Sequence, residues 1–338
     1  MKSKIILAIE SSCDDTSVAL VNTKYQIIHQ ITSSQAEHLE FGGVLPELAS
    51  RLHMKNILYL IETVLHQANM PRSELAAIAV SINPGLIGSL IVGLSLSKSL
   101  AWSLGIPLIT VNHMLGHLFA NNIEHGYIQP PYLALIVSGG HTELVYFETD
   151  IEFHHVGKTL DDAAGESFDK LAKLLGLGFP GGPIIDKLAN DGNPDFIEFP
   201  TALKQKDNYN FSYSGLKTSV IQFFDKQQDD WIKQHTSDLA ASIQKAIVTP
   251  LVKKTIRYAQ QHKIKTILIG GGVAANSLLR SQMQQEASRI GAQLFYPSIK
   301  LCMDNAAMIA AAAIPKYENR LFSSLDINAF SDKGTRYL

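Results

Sequence analysis

One pattern, met twice, most constrains what this chain can fold into. Residues 5–10 are an apolar, strand-like run, residues 11–15 a polar turn, and residues 16–22 a second apolar run. The same order returns at 132–137, through Ser138-Gly139-Gly140-His141, and on to 142–147. Sliding one hairpin onto the other aligns Ile9 with Leu135, Ser12 with Ser138, Thr16 with Thr142 and Val18 with Leu144. Self-similarity of this kind predicts two related lobes, each opening with strand, tight polar turn and strand. Ile- and Val-rich runs at 75–80, 107–111 and 266–269 alternate with helical patterns at 46–68, 112–121, 236–259 and 305–314. A glycine-broken segment at 83–93 leads into a further helix that runs through Trp102. The expected class is α/β in two duplicated lobes, with a ligand cleft where their turns face each other.

At roughly 150 residues per domain, 338 residues allow about two domains. Apolar residues at 46% and charged ones at 18% exclude extended disorder. Cys13 and Cys302 are too few for a disulfide framework or a four-cysteine zinc site, which points to a reducing, cytoplasmic setting. A net charge of −2 exerts no global pull on a polyanion, so nucleic acid would need a local basic patch or a partner subunit. The apolar run after Met1 stops at Glu10 and is too short for a signal peptide. Residues 86–102, interrupted by Gly88, Gly93 and Lys98, read as too short and polar to span a bilayer, and no membrane partner is expected.

Chemistry concentrates in a few motifs. His113 and His117 are four apart, so on a helix both imidazoles face one way and can reach one metal ion. Two histidines on a partly buried helix face would give the same spacing. Met114 stands where the zinc-protease helix carries its general-base Glu, which counts against that chemistry. Asp304, just ahead of a helix, suits either a third ligand or an N-cap. Ser138-Gly139-Gly140-His141, Phe179-Pro180-Gly181-Gly182-Pro183 and Gly270-Gly271-Gly272 are glycine turns of the kind that bring bare backbone N–H groups to an anion. Neither a P-loop nor a dinucleotide fingerprint is present. Asp162, Glu166 and Asp169 are spaced to line one helical face, and Glu10, Asp14 and Asp15 flank the first turn, where they suit proton handling or a metal-adjacent role.

Taken in order, these stretches resemble one family. Ala8-Ile9-Glu10 through Ser17, Asn83-Pro84-Gly85, Asn112-His113 through His117 and Val137-Ser138-Gly139-Gly140-His141-Thr142 are among its hallmarks. Asp161-Asp162-Ala163-Ala164-Gly165-Glu166, Tyr213-Ser214-Gly215-Leu216-Lys217, Gly270 through Asn276 and Asp304-Asn305-Ala306 are the others. The set is similar to TsaD, formerly called Gcp, the tRNA N6-adenosine threonylcarbamoyltransferase family. That resemblance implies the actin/Hsp70/sugar-kinase fold, with residues 1–128 plus 305–338 as one lobe and 129–304 as the other. It implies transfer of a threonylcarbamoyl group from threonylcarbamoyl-AMP to N6 of the adenosine 3′ of the tRNA anticodon, releasing AMP.

By the same resemblance His113, His117 and Asp304 would hold iron or zinc, Fe(2+) or Zn(2+). Ile136, Val137, Ser138, Gly139, Gly140, His141, Asp169, Gly182, Asp186 and Asn276 would hold the adenylate, and Glu10, Asp14 and Asp15 are the candidate proton acceptors. TsaB and TsaE are the implied partners, TsaB as a lobe-to-lobe heterodimer and TsaE as an ATPase. Many bacterial members carry Glu where this chain has Leu115, so no base role is expected there. The competing readings are a metallopeptidase and a kinase-like ATPase.

Overall fold

The computed structural model describes residues 3–41 and 43–331. The first compact unit comprises Met1–Ile128 and Pro297–Leu338 and the second Gln129–Tyr296. The chain re-enters the first unit at Pro297, ahead of the boundary at 305 drawn from the sequence, so Asp304 belongs to the same unit as the two histidines.

In the first unit, β1 (Ile5–Glu10), β2 (Asp15–Asn22) and β3 (Ile27–Ser34) form an antiparallel meander. After α1 (Pro46–Gln67), β4 (Leu75–Asn83) pairs parallel with β1. Helix α2 (Ile87–Leu104) then returns the chain to β5 (Leu108–Asn112), parallel to β4, and α3 (His113–His125) follows at once. The second unit holds β6 (Tyr132–Val137), β7 (Thr142–Phe147), β8 (Phe153–Lys158) and then α4 (Ala164–Leu174). It continues with α5 (Gly181–Ala189), α6 (Ser214–Phe224), α7 (Asp229–Gln234) and α8 (Thr236–Gln261). It closes with β9 (Thr266–Gly270), α9 (Ser277–Arg289) and β10 (Gln293–Phe295). Back in the first unit come α10 (Ile299–Cys302) and α11 (Ala306–Glu318).

The sheet orders are β3-β2-β1-β4-β5 and, read from the matching edge, β8-β7-β6-β9-β10. Strand directions repeat as well, and so does the register. Ile9 pairs with Val18 on one side and Val80 on the other, as Leu135 pairs with Leu144 and Ile269. The alignment of Ile9 with Leu135 and Val18 with Leu144 therefore survives as backbone pairing, and the duplication is structural.

Alternation decides what each face buries. Leu7, Ile9, Val18 and Leu20 point into one apolar cluster with Ile57, Ile61, Val64 and Leu94 from α1 and α2. On the unit's other elements packs α11, whose Ala310, Ala311, Ala312 and Ala313 are buried; small side chains let a helix lie this close to its neighbours. Helix α2 corrects one expectation. Its 18 residues have a mean hydropathy of 1.4, enough by length and composition to cross a bilayer, yet here it packs on α1 and β4 with Leu90, Leu94 and Ala101 buried.

Candidate functional site

Helix α3 begins where β5 ends because Asn112 caps it: the Asn112 side chain accepts from the N–H groups of Met114 (2.8 Å) and Leu115 (3.2 Å). This sets His113 in the first turn and His117 one turn later on the same face, their rings edge-on with centroids 4.7 Å apart. Asp304 arrives from the segment before α11. Its Oδ1 lies 3.3 Å from His113 Nε2 and 3.2 Å from His117 Nε2. The cap of α11 is Asn305, whose Oδ1 accepts from Met308 N at 2.9 Å, so Asp304 carries no capping duty.

Glu10, at the end of β1, is fully buried, and one of its oxygens accepts the N–H of Ser12. The other lies 3.0 Å from His113 Nδ1, and Ser12 Oγ is 3.1 Å from that nitrogen. A carboxylate can only accept, so Nδ1 carries a proton toward Glu10, and Nε2 donates to Asp304 in the imidazolium that the two carboxylates favour. Nε2 is the nitrogen whose lone pair becomes available to a metal ion when that proton leaves. A buried carboxylate behind an imidazole is the usual support of a metal-ligating histidine, fixing its tautomer and raising its basicity. One ligand atom from each of His113, His117 and Asp304 can be chosen so that all lie within 4.8 Å of one another. Donor types, their spacing and the supporting carboxylate all fit one divalent cation.

Electrostatics reinforce the cluster. Burial raises the Asp304 carboxyl, but His113 and His117 outweigh it and hold it well below the ordinary carboxylate range. Burial also works against the His113 cation, yet Glu10 and Asp304 together raise His113 well above an ordinary histidine. Glu10 is lowered despite its burial, chiefly by His113.

Glu10 thus differs from the other two carboxylates of the first turn. Asp14 and Asp15 are partly exposed. Burial pushes Asp15 up to about 6, helped by Asp304, Asp14 and Glu10 and opposed by a hydrogen bond with Ser34. The turn is pinned from behind by His53 of α1, a buried residue that no local sequence pattern marks. Its Nε2 donates to Cys13 O (2.9 Å), so its Nδ1 accepts from Thr16 Oγ1 (2.7 Å), and burial holds the ring neutral.

In the second unit, Ile136 and Val137 are buried on β6, and Ser138 to His141 form the turn to β7. Ser138 N donates to His141 O (2.9 Å), and His141 N donates to Ser138 Oγ (3.2 Å). From the start of α4, Gly165 N donates to Ser138 O (3.2 Å) and Glu166 N to Gly139 O (3.0 Å). The carbonyls of Ser138, Gly139 and His141 are thereby engaged, while Gly139 and Gly140 stand exposed.

Asp169 accepts from Gly181 N (2.7 Å) and the N–H of Gly182, so it fixes the glycine start of α5, and burial raises its carboxyl. Asp186 accepts from Gln244 Nε2 (2.6 Å), Asn276 Nδ2 (3.1 Å) and Ser277 Oγ (2.7 Å). Asn276 in turn caps α9 through Leu279 N (2.9 Å). Gln244, which ties this network to α8, was missed because no local pattern marks it. The expected acidic face of Asp162, Glu166 and Asp169 does not form: Asp162 precedes α4, and it shares Lys170 with Glu166.

The sequence model of TsaD, tRNA N6-adenosine threonylcarbamoyltransferase, matches residues 26–311. A Clostridium botulinum protein carrying that name is 46% identical over 331 residues, 97% of each chain. One from Fusobacterium nucleatum is 46% identical over 330 residues, 96% of each. The chain belongs to the TsaD family. Among solved structures, HypF of T. kodakarensis superimposes with a TM-score of 0.63 at 13% identity, over 94% of this chain and 48% of that one. Component A of the Acidaminococcus fermentans (R)-2-hydroxyglutaryl-CoA dehydratase gives 0.52 at 14% identity, over 93% and 99%. These likenesses bear out the duplicated two-lobe α/β fold of the actin/Hsp70/sugar-kinase type. Within the TsaD family, the Leu115 position lies buried on α3 one residue past Met114, in keeping with a packing role.

Proposed function

We propose that this transferase carries a threonylcarbamoyl group from L-threonylcarbamoyl-AMP to N6 of the adenosine immediately 3′ of the anticodon, in tRNAs reading codons that begin with A. The N6 lone pair attacks the carbamoyl carbon, the bond from that carbon to the phosphate oxygen breaks, AMP leaves and the N6 proton is lost. His113, His117 and Asp304 would hold one divalent ion, Fe(2+) or Zn(2+). Once bound, such an ion supplies Lewis acidity toward a threonylcarbamoyl oxygen. The observation that carries this reading is the convergence of both Nε2 atoms on Asp304 Oδ1, at 3.3 and 3.2 Å, with Glu10 behind His113.

The exposed N–H groups of Gly139 and Gly140 suit the adenylate phosphate. Asp186 and Asn276, already cross-linked through Gln244, form a rigid polar edge for the rest of the nucleotide. TsaB and TsaE would be the partners. An apolar face made by Met54, Leu58 and Tyr59 of α1 with Ile87 and Ile91 of α2 is exposed and suits a helical partner such as TsaB. A cysteine content of only two, Cys13 and Cys302, supports a cytoplasmic setting. A peptidase is disfavoured because the neighbour of His113 is the buried, apolar Met114.

Incubation with TsaB, TsaE, L-threonylcarbamoyl-AMP and unmodified tRNA should yield N6-threonylcarbamoyladenosine and AMP in equal amounts, read by nucleoside mass spectrometry and AMP release. Cleavage of a protein substrate with no modified nucleoside would overturn the proposal. Both Glu10 oxygens are engaged, so Asp15 is the better proton acceptor. A base pushed up to about 6 is active above that pH and protonated below it. Transfer should therefore fall about tenfold per pH unit below pH 6. Asp15→Asn should lower the rate and flatten that limb; an unchanged limb would remove Asp15 from the role.

A further inference from the structure

A cavity of about 830 Å³ runs along α8 of the second unit. Lys204, Lys245, Lys253, Lys254 and Arg257 line it, against only Asp195 and Glu198. Their duties differ. Lys245 is paired with Asp195. Lys254 is buried, and its ammonium donates to the carbonyls of Leu203 (3.0 Å), Asn208 (3.1 Å) and Asn210, which ties the 203–210 segment down onto α8. Lys204 and Lys253 are exposed and, among the described residues, have no carboxylate partner.

Arg257 donates Nη2 to Asn208 O (3.0 Å), while its buried Nε has no hydrogen-bond partner. Its guanidinium stacks 4.8 Å from the centre of the Tyr209 ring. From there an aromatic row leaves the cavity: Tyr209 meets Tyr258 edge-on at 5.1 Å, and Tyr258 stacks on His262 at 4.1 Å.

We propose that this surface of α8 binds the tRNA substrate, with Lys204, Lys253 and Arg257 meeting backbone phosphates and the Tyr209–Tyr258–His262 row stacking an unpaired base. The inference rests on the transferase reading and adds where the RNA is held. A chain of net charge −2 must concentrate positive field locally to hold a polyanion, and the surplus of cations here does so. Unpaired lysines suit phosphates, and flat rings flanked by a guanidinium suit splayed bases. A small free anion would use the cavity but has no need of an aromatic row outside it. An apolar protein segment gains nothing from the cations. The same helix carries Gln244, which grips Asp186 and Asn276 about 20 Å away at 1.5 Å per residue. One helix, with Pro250 between the two ends, thus carries both the RNA surface and the contact to the candidate adenylate residues.

The test is tRNA affinity against salt concentration, together with KM and kcat, for the full chain with TsaB and TsaE. Lys204→Glu/Lys253→Glu should weaken tRNA binding at least about tenfold at 150 mM salt and make the log–log salt slope shallower by about two. Lys204→Arg/Lys253→Arg should behave as wild type. Tyr258→Ala should weaken binding about tenfold while leaving the salt slope unchanged, because stacking releases no counterions. Affinity for a non-reactive adenylate analogue should hold in every variant, and the melting temperature in the lysine variants, while Tyr258→Ala loses its packing on Tyr209 and His262 and melts somewhat lower. Wild-type KM and salt slope in the double Glu variant, with the wild type modifying tRNA normally, would overturn the surface alone. A wild type that modifies no tRNA would instead overturn the transferase reading beneath it.

Discussion

Alanine at His117 is expected to strip the metal and cut threonylcarbamoyl transfer by at least about 100-fold at a moderate cost in stability, whereas alanine at His113 loses the metal and far more stability. The two imidazoles look equivalent in sequence but are held differently. His117 Nδ1 is buried without a hydrogen-bond partner, and Nε2 faces Asp304 at 3.2 Å. Its removal leaves mainly a cavity, at a cost of about 2–3 kcal/mol. His113 bonds Glu10 Oε2 at 3.0 Å, in a position with no solvent access, and is the cation that holds this carboxylate's charge. Taking it out leaves a buried carboxylate without its cation, a loss of about 3–5 kcal/mol.

A second change separates the effects. Glu10→Gln in the His113→Ala background should recover much of the stability and none of the metal. Metal content by plasma mass spectrometry, calorimetric melting and nucleoside analysis read the three quantities independently. Full transfer by a metal-free His113→Ala/His117→Ala protein would remove the cation from the chemistry.

Much of this was legible in the sequence, for particular reasons. The hairpins at 5–22 and 132–147 are buried on both faces, so they appear as continuous apolar runs, and their common offset proved to be a common register. The strands that escaped are edges. β3 is partly polar and largely exposed, β8 carries His154 and His155, and β10 has only three residues, too few to show a period. The His113–His117 pair was visible because a helix places residues four apart side by side. What Glu10 does was not visible. Its neighbours in sequence suggested a proton acceptor, and only the parallel pairings of β1 with β4 and of β4 with β5 bring it against a histidine about a hundred residues away. Gln244 and His53 escaped for the same reason: each acts through partners far away in the chain.

Replacing Gly140 by alanine should leave the melting temperature almost unchanged yet weaken binding of a non-reactive adenylate analogue at least about tenfold, while alanine at Gly165 or Gly271 should damage both. All three glycines bear on one turn, but the fold needs only two of them. A Cβ on Gly165 would stand 2.5 Å from Ser138 O and 2.7 Å from Gly139 Cα, both unyielding backbone. Helix α4 would have to withdraw and give up its two hydrogen bonds to the turn, costing about 1–3 kcal/mol and loosening Gly139. Gly271 is worse placed. Its φ of +96° is strained for any L side chain, and its Cβ would meet Val137 O at 2.3 Å, so the two costs add. Gly140 has nothing within 4 Å of such a Cβ and no unusual φ. Nothing in the folded chain forbids a methyl there; only a ligand brought up against the bare backbone would. Titration calorimetry beside thermal melting decides the matter. If Gly140→Ala binds the analogue as tightly as the parent chain, the Ser138–His141 turn is not the phosphate clasp, and the adenylate must be sought among the donors around Gly182 and Asn276.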